Sequence, residues 1–412
     1  MTGWLKLTDE QRIISITQAA TISGITAKAV EKDWWVTLTL KALYGTSSAR
    51  FFIFKGGTSL SKSWKLIERF SEDIDIALDP QAFQMEYIKN PSHGYVKKLK
   101  REGCKFTSST ILNELTAQFN KLGIPQELIT LRVEDIPNEM PDKDPQTIYV
   151  SYKSLFPPHE YIADEVKIEF GVRSFKEPYS NMPVQSILSE FFPNRAYEEL
   201  PFEVIVVDPQ KTLLEKAFLL HEKFLSKNIE NIKVERLSRH LYDLEKLMNS
   251  DVGIRALKDH GFFSILLEHR RAYVRLRDID YNTLDYHTLS FIPPTDELME
   301  MFRQDYRIMQ SEMIYGDSLE FNMLIEKLKI LRGRFRLIRE HKTLEKILED
   351  AEIYIINNPP LYNDEGAKVT VPISYISDPF LPPGPNNENR NYQIDFIRKD
   401  DNWVFEDLTI IR

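Results

Sequence analysis

Cysteine is almost absent from this chain of 412 residues, which contains only Cys104. A disulfide framework and a cysteine-rich zinc site are therefore excluded, and a reducing compartment is favoured. No apolar run approaches the roughly 18 residues that a membrane-spanning helix needs. The N-terminus also lacks the apolar core and small-residue cleavage site of a secretory signal. We therefore expect a cytoplasmic protein with no membrane partner.

Several functional signatures are missing as well. The sequence contains no His-Glu-x-x-His pattern and no Gly-x-x-x-x-Gly-Lys loop, which argues against a metalloprotease and a P-loop enzyme. An excess of positive charge is also lacking, because 53 Lys and Arg residues face 62 Asp and Glu residues, for a net charge of −9. The chain is therefore not a protein that holds nucleic acid by bulk charge.

Two local basic runs remain, at 97–105 and 332–339. Each is either a solvated helix face or a surface that neutralises RNA phosphates.

The remaining composition is that of an ordinary globular protein, with 42% hydrophobic and 28% charged residues. Hydrophobic patterning predicts an α+β fold. Helices are expected over 8–45, 60–69 and 80–130, and strands at 51–54, 74–78, 147–155, 165–172 and 203–207. After residue 208 the pattern is helical, and 392–398 and 403–411 predict a C-terminal hairpin. We expect a catalytic lobe (1–207), a helical lobe (208–345) and an extension (346–412), which is a helix followed by a loop and the hairpin and to which we assign no role.

The most informative segment begins with Gly56-Gly57-Thr58-Ser59 and continues to Asp73 and Asp75. Two glycines allow a ligand to approach the backbone closely, and a helix that opens at Thr58 would present free N–H groups to a phosphate. Asp73 and Asp75 share one face of a strand, where two carboxylates suit a hard divalent metal such as Mg²⁺. Phosphates beside paired metals indicate phosphoryl or nucleotidyl transfer.

Each part of this pattern also has an ordinary structural explanation. A Gly-Gly turn alone is usually only a turn, and an Asp-x-Asp strand alone is usually a solvated edge. Their combination one helix apart, between two apolar strands, favours catalysis. Lys55, just before the glycines, either reaches a phosphate or forms an exterior salt bridge. The aromatic residues of 34–35 and 51–54 are expected in the core.

The run Gly56-Gly57-Thr58-x-Leu60 followed by Arg69-Phe70-Ser71-Glu72-Asp73-Ile74-Asp75 resembles the AbiEii/AbiGii-type nucleotidyltransferase toxins, a family of the DNA polymerase β-like nucleotidyltransferase superfamily. Further similar stretches extend the resemblance over roughly residues 10–330. They are 31–37, 166–170, 212–216, 239–244 and 313–316. The resemblance implies a mixed nucleotidyltransferase sheet with flanking helices, followed by a helical bundle that closes over the nucleotide.

Residue by residue, the resemblance implies specific roles. It makes Gly56, Gly57, Thr58 and Ser59 nucleotide-binding, and Asp73, Asp75 and Glu169 the ligands of two Mg²⁺ ions. It also makes Glu169, an Asp in many relatives, the group that activates the attacking hydroxyl. Lys216 would contact the nucleotide phosphates, and Asp243 would be a catalytic acid beside it. Relatives often have Arg-Asp where this chain has Arg239-His240.

Without the resemblance, three of these residues have simpler explanations. Glu169 could lie on the wet face of an edge strand, and Lys216 could be solvated on its helix. Asp243 could be a surface acid or the partner of a neighbouring helix.

The function implied is transfer of NMP from an NTP substrate to RNA, at the 3′ end of tRNA, by the toxin of a toxin–antitoxin or phage abortive-infection system. The partner implied is a cognate antitoxin, often with a winged-helix domain. Two other hypotheses stay open. One is AMP transfer to a protein hydroxyl, and the other is a catalytically silent binding module that retains the fold.

Overall fold

A computed structural model describes residues 2–137, 139–193, 195, 197–225, 232–276 and 279–336 in full. It also describes the backbone of residue 337 and of 368–376, 389–399 and 402–411. These residues form two compact units. The first contains residues 2–284 and 289–329, and the second contains Asp285–Thr288 and the described residues from Ile330 onward. The three-part division predicted from the sequence stays a prediction.

A seven-stranded mixed sheet is the centre of the first unit. Its strands are β1 (Phe52–Lys55), β2 (Ile74–Leu78), β3 (Ile129–Val133), β4 (Gln146–Tyr152), β5 (Glu165–Gly171), β6 (Tyr179–Val184) and β7 (Phe202–Val207). They lie in the order β3-β4-β5-β2-β1-β7-β6. The pairs β2–β5 and β1–β7 are parallel, and the other neighbours are antiparallel. The fold is the expected α+β nucleotidyltransferase fold.

Helices flank this sheet, and the last helix of the chain continues past Lys329 into the second unit. Their bounds are α1 (Asp9–Ser23), α2 (Ala27–Tyr44), α3 (Gly56–Lys62), α4 (His93–Phe106), α5 (Leu112–Lys121), α6 (Ile187–Phe191), α7 (Pro209–Leu225), α8 (Ser238–Met248), α9 (Asp251–Lys258), α10 (His260–His269), α11 (Asp296–Glu312) and α12 (Phe321–Leu337). Among the described residues, no single helix is long and apolar enough to cross a membrane; α1 and α2 pass that test only when joined, and they meet at a bend of 106°.

The second unit contains a three-stranded antiparallel sheet in the order β10-β9-β8. Its strands are β8 (Lys368–Ile376), β9 (Asn389–Lys399) and β10 (Asn402–Ile411), and β9 pairs with β10 as the predicted hairpin requires. The helix expected early in the extension lies outside the described residues.

Helix α2 is buried on almost every side, and its aromatic side chains are core residues as expected. Trp34 and Trp35 are 0% and 1% exposed. The adjacent charged residues are buried as well, and each has a partner far along the chain. Glu31 accepts from the Leu155 N–H, Lys32 pairs with Glu72, and the Asp33 carboxylate pairs with Lys62 and accepts from the Ile187 N–H. Because the helix is buried on almost every side, water cannot solvate these charges, and their ion-pair and hydrogen-bond partners stabilise them instead.

The predicted helix over 60–69 is wrong. Helix α3 begins at Gly56 and ends at Lys62, so the chain is irregular from there to Asp73. Two long-range contacts hold this segment. Arg69 forms a β-bridge with Ile314, and the Phe70 N–H donates to the Met313 carbonyl over 2.7 Å. Tertiary pairing therefore overrides the helical pattern, and the 313–316 motif fixes the approach to the Asp73–Asp75 strand.

Candidate active site

One row of charged side chains crosses the middle of the sheet. Asp75 of β2 is in register with Lys55 of β1 on one side and with Glu169 of β5 on the other. Residues in register on neighbouring strands face the same side of a sheet, so these three side chains form a continuous row. β5 lies between β4 and β2, so the edge-strand interpretation of Glu169 is wrong.

The row opens into a cavity of about 210 Å³ between the sheet and helices α7 and α10. Acidic and basic groups share its wall: Asp75, Glu169 and Glu215 with Lys55, Arg173 and Arg270. We call this cavity the catalytic cleft. It can hold a ligand that carries negative charge and also binds a cation, which is the chemistry of a nucleotide with its metal.

Gly56 makes room for the Asp75 carboxylate. Its φ of +80° lies in the left-handed region, and a Cβ added there would lie 2.1 Å from Asp75 Oδ2. A side chain at this position would therefore be strained by its backbone and would displace the acid. The sequence predicts that this glycine lets a ligand approach the backbone. In the structure, Gly56 instead leaves space for the Asp75 carboxylate.

The other motif residues are engaged inside the protein. Gly57 leaves space for Arg69, because an added Cβ would lie 2.5 Å from Arg69 Nη2. Thr58 is fully buried and its hydroxyl contacts Ser71 Oγ at 2.9 Å and donates to the Asp73 carbonyl. Ser59 Oγ donates to the Gly56 carbonyl. These side chains shape the turn, and their nucleotide-binding role stays a prediction.

Asp73 lies one residue before β2, two residues before Asp75 and outside the row. Arg239 Nη1 of α8 approaches its Oδ2 at 3.7 Å. Burial raises the pKa of Asp73, and the neighbouring Glu72 raises it further. The site therefore holds Asp73 close to other acids that disfavour its ionised form.

Asp75, in the middle of the row, has a carboxyl group with a raised pKa. Burial raises the pKa of its carboxyl to about 6, against the opposing effect of Lys55 and with further contributions from Glu169 and Asp73. Carboxylates that repel one another in a buried cleft are a donor set that a divalent cation would stabilise.

Glu169 is ion-paired with Lys167 on the same strand. With Asp73 facing Arg239, two of the three expected ligands have a protein cation beside them. Within the described part of the chain, no three acidic, histidine or cysteine side chains are close enough together to hold a metal ion. The metal-ligand assignment of Asp73, Asp75 and Glu169 stays a prediction that requires these cations to move aside.

Lys216 and Asp243 come together in a buried cluster with Arg69. Asp243 is 0% exposed and accepts from Arg69 Nε at 2.7 Å and from Arg69 Nη2 at 2.8 Å. Lys216 Nζ lies 2.8 Å from Asp243 Oδ2. Lys216 is thus not solvated, and Asp243 is the partner of neighbouring elements rather than a surface acid. Arg69 and Lys216 hold the pKa of Asp243 well below its usual range despite burial.

His240 completes this cluster. Lys216 Nζ lies 3.3 Å from His240 Nδ1. Burial lowers the pKa of His240 well below its usual value, and Lys216 lowers it further, so the ring is neutral. A lysine ammonium has only donors, so Nδ1 must accept. A neutral acceptor at His240 therefore completes the cluster of Arg69, Asp243 and Lys216.

Sequence reasoning missed several groups around these sites. Glu72, next to Asp73, pairs with Lys32 of α2 and with Arg236, so it ties the start of β2 to α2 and to the turn that precedes α8. In the cleft, His269 Nε2 lies 2.9 Å from the Arg173 carbonyl, and burial lowers the pKa of His269 to about 4. Arg270 is held by Glu222 through two contacts of 2.6 Å. These residues follow no recognisable spacing in the sequence. Among the missed residues of the cleft, only Glu215, which stands next to the predicted site residue Lys216, had a signal in the sequence.

Comparison with known families agrees with this geometry. A family model described as "Nucleotidyl transferase AbiEii toxin, Type IV TA system" matches residues 40–349. The match includes the glycine turn, the carboxylate row and the buried Arg69–Asp243–Lys216 cluster. No curated protein matches the chain.

Proposed function

We propose that this chain, which belongs to the AbiEii nucleotidyl transferase toxin family of type IV toxin–antitoxin systems, transfers NMP from an NTP to a terminal hydroxyl of RNA, at the 3′ end of tRNA. One observation carries the proposal within the family: the row Lys55–Asp75–Glu169 lines a cleft able to take a nucleotide. Membership also implies an antitoxin partner, for which we propose a winged-helix protein. We propose a cytoplasmic location, where NTPs and RNA acceptors are both found.

The acids around Asp75 are of the kind that binds a divalent cation, because Asp75 is in register with Glu169 and its pKa is raised by burial and by two further acids. They form a ligand set only when Lys167 and Arg239 move aside. We assign Asp73, Asp75 and Glu169 to hold Mg²⁺, as two ions. The metal supplies charge stabilisation for the phosphates and acidifies the attacking hydroxyl when it is bound.

The chain's own residues then bind and orient the reactants. In the transfer, the acceptor oxygen forms a bond to the α-phosphorus and the bond from that phosphorus to the β-phosphate bridging oxygen breaks, so pyrophosphate leaves. Glu169 accepts the hydroxyl proton, once its pairing with Lys167 opens. Lys55 offsets the negative charge of the phosphates in the cleft. Arg69, Asp243 and Lys216 hold the glycine turn and α8 in place. The contact of Lys216 with the nucleotide phosphates and the catalytic role of Asp243 stay predictions.

The proposal is tested with purified protein, magnesium, each α-³²P-labelled NTP in turn and a cell extract containing total RNA. We expect label in a tRNA-sized band, and we expect Asp75→Asn to reduce it by about 100-fold or more. Glu165→Gln is the matched control, since Glu165 lies on β5, which pairs with β2 in the same sheet, and forms an ion pair with the exposed Arg132. Full transfer by Asp75→Asn would contradict the mechanism. Label in a protein band would reassign the acceptor to a protein hydroxyl.

A further inference from the structure

A basic stripe runs along the outer face of α4. Lys97, Arg101 and Lys105 are exposed and spaced four residues apart, with Lys98 beside them. At 1.5 Å per residue, the three lie about 6 Å apart along one face of the helix. The helix carries five Lys and Arg residues against one acid, Glu102, in a chain whose net charge is −9.

Few acids compensate this stripe. Lys105 pairs with Glu102 at the surface, and Lys100, on the inner side, pairs with Asp142 at 2.6 Å. Lys97, Lys98 and Arg101 form no ion pair with any acid in the described ranges. The stripe is therefore a concentrated positive surface that attracts a polyanion.

The opposite face of α4 is fixed to the rim of the catalytic cleft. Gly103 packs so closely that an added Cβ would lie 2.3 Å from Val172 Cγ1, and Val172 lies between the cleft residues Gly171 and Arg173. Cys104 Sγ contacts Gln146 Oε1 at 3.4 Å, next to the cleft residue Pro145. The stripe therefore lies on a helix that packs directly against the strand ends bordering the cleft.

We propose that the outer face of α4 is the track that holds the acceptor RNA by its phosphates and guides its end into the cleft. This inference rests on the proposed function and specifies where the acceptor binds. The stripe contacts the RNA phosphates and makes no base-specific contacts. Binding therefore depends on salt concentration and tolerates changes of RNA sequence. The second basic run, at 332–339, belongs to the second unit, and its residues 338–339 lie outside the described residues, so its role stays a prediction.

The test measures RNA binding without NTP, which separates it from the transfer reaction. The probe is unfractionated deacylated tRNA with a 5′ fluorescein label, titrated by anisotropy at several KCl concentrations. The variant is Lys97→Gln, Arg101→Gln and Lys105→Gln combined. The matched control is Lys258→Gln, Arg307→Gln and Lys329→Gln, which removes three exposed helical cations elsewhere.

We expect the α4 variant to bind at least about 10-fold more weakly. Its slope of log Kobs against log[KCl] should be shallower by about 2 to 3, because each phosphate contact contributes about 0.7 to 0.9. In the transfer assay, KM for RNA should rise while KM for NTP is unchanged. Wild-type affinity and salt slope in the α4 variant would overturn the proposal, as would an equal loss in the control variant or labelling of protein alone. Failure of transfer with intact α4-dependent binding would instead count against the proposed chemistry.

Discussion

At the scale of single residues, the absence of a side chain at Gly56 determines where the Asp75 carboxylate can lie. We predict that Gly56→Ala reduces NMP transfer by about 100-fold and lowers the free energy of unfolding by about 1–3 kcal/mol, since the new Cβ meets Asp75 Oδ2. Transfer assays and urea unfolding measure the two effects.

Gly123→Ala is the control for this change. Gly123 has a φ of +72°, close to that of Gly56, but nothing lies within 4 Å of an added Cβ. It should show the backbone strain and keep full activity. If Gly123→Ala loses transfer to the same degree, the explanation through Asp75 is wrong.

Asp243 balances two buried cations. We predict that Asp243→Asn lowers the free energy of unfolding by about 3–5 kcal/mol, because Arg69 and Lys216 then lack their shared counter-charge. Urea unfolding at neutral pH measures this loss. Glu326→Gln, which breaks the exposed pair with Lys329, should cost less than about 1 kcal/mol. A similarly small cost for Asp243→Asn would show that Arg69 and Lys216 do not depend on Asp243 as their shared counter-charge.

Glu199 should make stability depend on pH in the direction opposite to most acids. Burial raises its pKa from the ordinary 4.5 to about 7, although Trp34 Nε1 donates to it over 2.9 Å. The stabilising contribution of protonated Glu199 is fully present below pH 4.5. We expect the free energy of unfolding to fall by about 3 kcal/mol as pH rises through about 7. Thermal unfolding of Glu199→Gln should lack this loss, whereas the exposed Glu203→Gln should retain it. Identical pH profiles for wild type and Glu199→Gln would refute the assignment.

At the scale of elements, the packing of α4 on the end of β5 connects the proposed RNA track to the cleft. We predict that Gly103→Ala lowers the free energy of unfolding by about 1–3 kcal/mol, since its Cβ would overlap Val172. Gly94→Ala, on the same helix with its nearest contact at 3.8 Å, should be neutral or slightly stabilising. Equal effects of the two changes, measured by thermal unfolding, would mean that α4 is not tightly seated.

The same scale shows how far sequence reasoning reaches. Strand β2 occupies 74–78 as predicted, because its apolar residues stand between clear boundaries. Strands β3 and β6 were missed because both are sheet edges with half-exposed or exposed side chains, which leave little hydrophobic pattern. The motif residues were found, but the buried pairing of Arg69 with Asp243 spans 174 positions and has no local signature.

At the scale of the whole molecule, metal binding should be visible as stability. We predict that millimolar MgCl₂ raises the thermal midpoint and that EDTA reverses the rise, because a ligand that binds only the folded chain stabilises it by mass action. About 2.7 kcal/mol is expected at 100 times Kd. Asp75→Asn should abolish the shift, and Glu165→Gln should keep it. A shift that survives Asp75→Asn would place the metal elsewhere.

The burial of α2 also has a consequence for how the chain folds. Its consecutive residues Glu31, Lys32, Asp33 and Trp34 contact groups that lie 124, 40, 154 and 165 positions later, and Asp33 also pairs with Lys62, 29 positions later. During synthesis the helix therefore emerges before the groups that pair with its charges, and its full set of hydrogen-bond partners is present only once residue 199 has been made. Such non-local closure is slow and cooperative, so the toxin gains its cleft late, in one step, and only when most of the catalytic unit is present.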